Sequence, residues 1–68
     1  MNNVNNNIAF FRSKQKMSQQ DLANAIGVSR KTVSTVETGR FVPSVIIALK
    51  VAQFFEVKVE DLFELSED

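Results

Sequence analysis

Ser18 to Gly39 reads SQQDLANAIGVSRKTVSTVETG, two short amphipathic segments separated by Gly27-Val28-Ser29. Ser18 is a good helix N-cap, and Asp21, three residues on, stands where a capping-box carboxylate reaches back to the first free amides. Leu22, Ala23 and Ile26 follow at helical spacing, so the first segment buries one stripe. Gly27 falls just past the last apolar residue, where a left-handed cap costs a residue with a Cβ more. Val28 is a lone apolar residue in the turn, suited to plug the gap between the helices. Ser29 caps a second helix running to about Thr38, and Gly39 ends it.

On that second helix, steps of about 100° per residue gather Val33, Val36 and Glu37 on one side. Lys31, Ser34, Thr35 and Thr38 fall on the other, flanked by Arg30 at the N-terminal end. The outer face is short, polar and basic, with hydroxyls that donate and accept. Ala23 is small enough to let the two helices cross closely, as a helix-turn-helix requires. The spacing alone also fits an ordinary helical hairpin with a solvated face.

The residue identities are more specific than the spacing. Gln19, Leu22-Ala23, Gly27-Val28-Ser29, Val33, Glu37, Gly39 and Pro43-Ser44 stand in a register that continues through Ala48-Leu49-Lys50-Val51-Ala52 and Val59-Glu60-Asp61-Leu62-Phe63. This pattern, over roughly residues 7 to 64, closely resembles the Cro/repressor-type (Xre-like) helix-turn-helix transcriptional regulators. The resemblance implies an all-α, compact five-helix, lambda-repressor-like DNA-binding domain. It implies a homodimer that binds a palindromic double-stranded DNA operator and acts as a repressor.

Composition limits the other readings. A chain of 68 residues forms one small core, near the size at which folding alone is marginal. It has no cysteine and no histidine, which removes disulfides, thiolate metal sites and the commonest general base. Two isolated glycines make no phosphate-cradling loop. The expectation is no enzyme, no cofactor, no metal and no small-molecule substrate. The longest apolar run, Val45 to Leu49, is far too short for a membrane span, and no signal peptide opens the chain, so a cytoplasmic setting of bacterial or phage type is expected.

Net charge is zero and the pI is about 6.2, which alone argues against nucleic acid. The distribution argues for it. Residues 1–50 hold seven Lys/Arg against two Asp/Glu, and residues 51–68 hold one Lys against six acids. Such a dipolar chain turns its basic end to phosphate. The plainer account is a soluble surface with its acids gathered in a tail.

Along the chain, Met1 to Asn7 reads as a flexible, asparagine-rich leader, with Asn5 or Asn7 capping a first helix that runs to about Gln15. Residues 8–65 form the domain and residues 66–68 an acidic tail. Ser44 caps a fourth helix, Val45 to Phe55, and a fifth covers about Val59 to Phe63, with Glu64-Leu65 able to extend it. No strand alternation is visible. The expected core is Ile8, Phe11, Met17, Leu22, Ala23, Ile26, Val28, Val33, Val36, Val45, Ala48, Leu49, Ala52, Phe55, Val57, Leu62 and Phe63.

By resemblance, Arg30, Lys31, Ser34 and Thr35 meet base edges in the major groove. A long basic side chain can give guanine two hydrogen bonds; the alternative for Arg30 or Lys31 is a phosphate contact only. Gln19 opens its helix where the family contacts phosphate, and Thr38, Arg40, Ser44, Lys14 and Lys16 are further phosphate candidates. Lys14 and Lys16 read equally well as solvated charges. Arg12 and Glu37 match a pair that ties the first helix to the recognition helix, and they are assigned to structure. Phe10, Ile46, Ile47 and Phe54 put apolar groups where the pattern usually has polar ones, which suggests a homodimer seam or a protein-partner surface formed with the fifth helix, Phe41 and Leu65. Scattered surface hydrophobes are the ordinary alternative. The competing function is an antitoxin-like or adaptor subunit that docks another protein and binds DNA secondarily. Lys58 replaces the usual capping Ser/Thr, and Glu56 stands where glycine is frequent.

Overall fold

The computed structural model describes residues 2–67. Its elements are β1 (Asn2–Asn6), α1 (Ile8–Lys14), α2 (Gln19–Ile26), α3 (Arg30–Glu37), α4 (Val45–Phe55), α5 (Val59–Leu62) and β2 (Phe63–Glu67). Five helices enclose a core of Ile8, Leu22, Ala23, Ile26, Val33, Val36, Val51, Ala52, Phe55 and Leu62. Ala23 is fully buried where α2 and α3 cross, the most extensive contact between two helices.

The helix ends follow local chemistry. Ser18 Oγ accepts from the Asp21 amide and Asp21 Oδ2 accepts from the Ser18 amide, each at 3.0 Å, completing a capping box. Those hydrogen bonds hold the Asp21 carboxyl below the usual aspartate range, so this contribution fades as pH falls through the lowered value. Gly27 is left-handed at φ 75°, and the Val28 amide closes back on the Ala23 carbonyl. Ser29 and Ser44 cap α3 and α4 by accepting from the Thr32 and Ile47 amides. Lys58 offers α5 no side-chain acceptor; Asp61 accepts from the Lys58 amide instead.

Glu56 ends α4 in the left-handed region at φ 57°, a conformation glycine adopts without steric cost. Glu56→Gly is expected to stabilise the fold by up to about 1 kcal/mol, read as a higher urea midpoint at unchanged slope.

The structure differs from the sequence reading in four places. Residues 2–6, read as leader, form β1 and pair antiparallel with β2, Asn2 opposite Glu67 through Asn6 opposite Phe63. The chain after Leu62 is therefore strand where a helical extension was expected, and Ser66 and Glu67 belong to it; Met1 and Asp68 lie outside the described residues. Asn7 precedes α1 but does not cap it, since its side-chain Nδ2 donates to the Asp61 carbonyl while Asn6 Oδ1 accepts from the Ile8 amide. Finally, α4 is rotated from its expected phase. Val45 and Leu49, assigned to the core, are 74 % and 49 % exposed. Val51 is buried in their place, with Ile47 half-buried against the core. Residues 47, 51, 52 and 55 make a continuous inner stripe at helical spacing, which 45 and 49 do not share.

Candidate nucleic-acid interface

Helix α3 is held from beneath by charge. Arg12 Nε donates to Glu37 Oε2 at 2.6 Å and Nη2 to Oε1 at 3.0 Å, a bidentate pair between α1 and the last residue of α3. Arg12 Nη1 also donates to the Met17 carbonyl, and Gln19 Nε2 donates to Glu37 Oε1. The side chains of Arg12 and Glu37 are 17 % and 8 % exposed. The hydrogen bonds to Glu37 outweigh burial and keep the guanidinium more firmly protonated than usual.

A second tie was not legible in the sequence. Asn6 Nδ2 donates to the carbonyls of Val36 and Glu37, satisfying acceptors at the α3 C-terminus. Only its asparagine identity could have hinted at this, because the contact spans thirty residues.

The outer face of α3 is left to solvent. Arg30 and Lys31 are exposed in its first turn, Ser34 and Thr35 are half-exposed, and Thr38 is exposed at its end. Thr35 Oγ1 donates to the carbonyls of Lys31 and Thr32, and Thr38 Oγ1 to those of Ser34 and Thr35. With their protons turned inward, these hydroxyls offer acceptors and methyl groups outward. This suits the exocyclic amino group of adenine or cytosine, or the thymine methyl.

The phosphate candidates frame that face unevenly. Arg40 is exposed in the loop that the Thr35 carbonyl anchors through the Arg40 and Phe41 amides. Ser44 keeps its hydroxyl proton while Oγ accepts from Ile47, so it can still donate. Lys16 is exposed at left-handed φ 55° between α1 and α2, and Lys14 Nζ lies 5.3 Å from the Phe10 ring centroid. Gln19 is half-buried, with one amide proton already committed to Glu37.

The exposed apolar groups are spread over the fold. Phe10 and Phe54 end an aromatic row that runs through Phe11 and Phe55, with centroid separations of 5.4, 5.7 and 5.1 Å. Phe41 lies in the loop before α4, Ile46 in the first turn of α4, and Leu65 on β2, and all three are exposed. Among the described residues no cluster of His, Cys, Asp or Glu could hold a metal, and no helix is long and apolar enough to cross a membrane.

A crossed helix pair with a presented second helix matches the helix-turn-helix family model over residues 8–62. The chain belongs to the helix-turn-helix family of transcriptional regulators. Among relatives of this helix-turn-helix protein, an uncharacterised HTH-type transcriptional regulator of Methanocaldococcus jannaschii is 40 % identical over 65 residues, covering 96 % of this chain and 98 % of that protein. The HTH-type regulator YgzD of Bacillus subtilis is 38 % identical over 65 residues, with the same coverage. Among solved structures, the restriction-modification controller protein C.AhdI of Aeromonas hydrophila superposes with a TM-score of 0.73 at 28 % identity, over 79 % of this chain and 82 % of that one.

Proposed function

We propose that this helix-turn-helix protein is a cytoplasmic, sequence-specific repressor that binds a palindromic double-stranded DNA operator as a homodimer, with α3 in the major groove. The observation that carries this reading is the split character of α3. Its inner side is fixed by Arg12, Gln19 and Asn6, and its outer side is left free with Arg30 and Lys31 at the leading end. Rigid placement of a polar helix is what base readout requires. In this reading Arg30, Lys31, Ser34 and Thr35 meet base edges. Gln19, Arg40, Ser44, Lys14 and Lys16 meet phosphate, and Thr38 does so by turning its hydroxyl proton outward from the Ser34 and Thr35 carbonyls. Repression follows from covering a promoter.

The test is footprinting on the DNA upstream of its own gene. Arg30→Ala or Lys31→Ala is expected to lose about 1–3 kcal/mol of discrimination between the operator and unrelated DNA. Equal weakening on both DNAs would reassign the residue to phosphate.

A second reading, a subunit that docks another protein, is favoured by the exposed run Phe41, Val42, Val45, Ile46 and Leu49. It prevails if no DNA is bound at low salt while a partner co-purifies stoichiometrically.

A further inference from the structure

β1 packs extensively against β2 alone. The Asn7 amide donates to the Leu62 carbonyl at 2.8 Å, and the same register continues with Asn5 opposite Glu64 and Asn3 opposite Ser66. Bonded and non-bonded pairs alternate in an antiparallel ladder, so Asn2, Val4 and Asn6 turn their N–H and C=O groups away from β2. Among the described residues, no hydrogen bond from another element reaches the Val4 backbone. A two-stranded sheet gains stability from a helix packed on it or from further strands; here Phe63 of β2 and Asn6 of β1 anchor one end to the helices, and the rest of β1 has only β2 as an extensive neighbour.

The two edges of this sheet differ in charge. β2 carries Glu64 and Glu67, with Glu60 and Asp61 shortly before it and Asp68 after. Pairing β2 with itself sets like charges near one another, and charge is a usual guard of a free edge. β1 has no charge, no proline and no bulge in its register. Its sequence, Asn2-Asn3-Val4-Asn5-Asn6, reads the same in both directions about Val4. Antiparallel pairing of two β1 strands across Val4 therefore sets asparagine against asparagine and valine against valine, with no unlike or repelling pair.

We propose that β1 is the homodimer seam: a second copy of this chain adds its β1 antiparallel to the first, about a two-fold axis through Val4, to make a four-stranded sheet in the order β2-β1-β1-β2. This rests on the homodimeric reading above and names its surface. Val4 already stands opposite Leu65, which is 68 % exposed. The second copy brings Val4 against Val4, so Leu65, both valines and the second Leu65 form one apolar row across one face of the sheet. Asn6 joins β1 to the C-terminus of α3, so the axis stands beside that end of each recognition helix. A backbone ladder then sets the spacing of the two helices.

The test is sedimentation equilibrium on the full chain. Val4→Pro removes an N–H that points only to the free edge, and proline is tolerated at such positions, so the β1–β2 pairing and the circular dichroism are retained. Self-association is expected to weaken at least about thirtyfold, while Ile46→Glu leaves it unchanged. As a second measurement, Val4→Cys in this cysteine-free chain is expected to be joined into a covalent dimer by a short bis-maleimide, because directly opposed residues in a bonded pair have Cα atoms about 5.5 Å apart. A dimer that survives Val4→Pro, or a Val4→Cys dimer that does not cross-link, overturns the seam and leaves the homodimer standing. An unaltered chain that stays monomeric at every concentration overturns the homodimer itself. If Val4→Pro does not fold, the cysteine cross-link decides.

Discussion

Arg12→Met is expected to cost about 2–3 kcal/mol of folding stability, between the small worth of an exposed ion pair and the larger penalty for breaking a fully buried one, because this bidentate pair is partly buried. The Glu37 side chain is 8 % exposed and would be left with only Gln19 as a donor. The Met17 carbonyl would lose its guanidinium partner at the same time. A 68-residue domain commonly has only about 3–10 kcal/mol of net stability, so the loss removes a large share of it and should appear as a markedly lower urea midpoint. Replacing both partners, Arg12→Met with Glu37→Met, should recover most of the loss, because the larger cost lies in the stranded carboxylate. Urea denaturation of the three proteins separates the cases. An unchanged midpoint in Arg12→Met would show that the pair does not hold α3.

That network illustrates what the sequence could and could not reveal. The Ser18–Asp21 capping box and the Gly27 turn were legible because their partners lie within five residues and their chemistry is local. The phase of α4 was not. Val45 to Leu49 is apolar without interruption, so periodicity marks no preferred face there, and only packing against the rest of the core buries Ile47 and Val51 rather than Val45 and Leu49. β1 was concealed for a different reason. Asparagine is a poor strand former, and the partner strand lies at the opposite end of the chain. Its pairing is a property of the folded bundle, which brings Leu62 beside Asn7 and lets the ladder run on from there. At α3, the exposed face was legible from the helical wheel, whereas the inward turn of the Thr35 and Thr38 hydroxyls depends on rotamers that the wheel does not specify.

Operator affinity is expected to fall roughly a thousandfold between about 50 and 200 mM salt, although the chain carries no net charge. The counterions displaced are those at the phosphates the basic groups meet, so local charge sets the slope. Arg40, Lys14 and Lys16 are exposed on the part of the chain that also carries Arg30 and Lys31, while the acids gather after residue 51. Three phosphates neutralised per subunit, doubled by a dimer, give a slope of about −5 in log affinity against log salt. Alanine at Arg40, Lys14 or Lys16 should each make that slope shallower by about 2 per dimer and weaken operator and unrelated DNA alike. Ser44→Ala should weaken binding without moving the slope, since a hydroxyl displaces no counterion. Fluorescence anisotropy titrations across a salt series read both quantities at once. If Lys14→Ala leaves slope and affinity untouched, its ammonium serves the Phe10 and Phe11 rings it lies near rather than the DNA. A salt-independent affinity would remove the basic end of this molecule from the interface altogether.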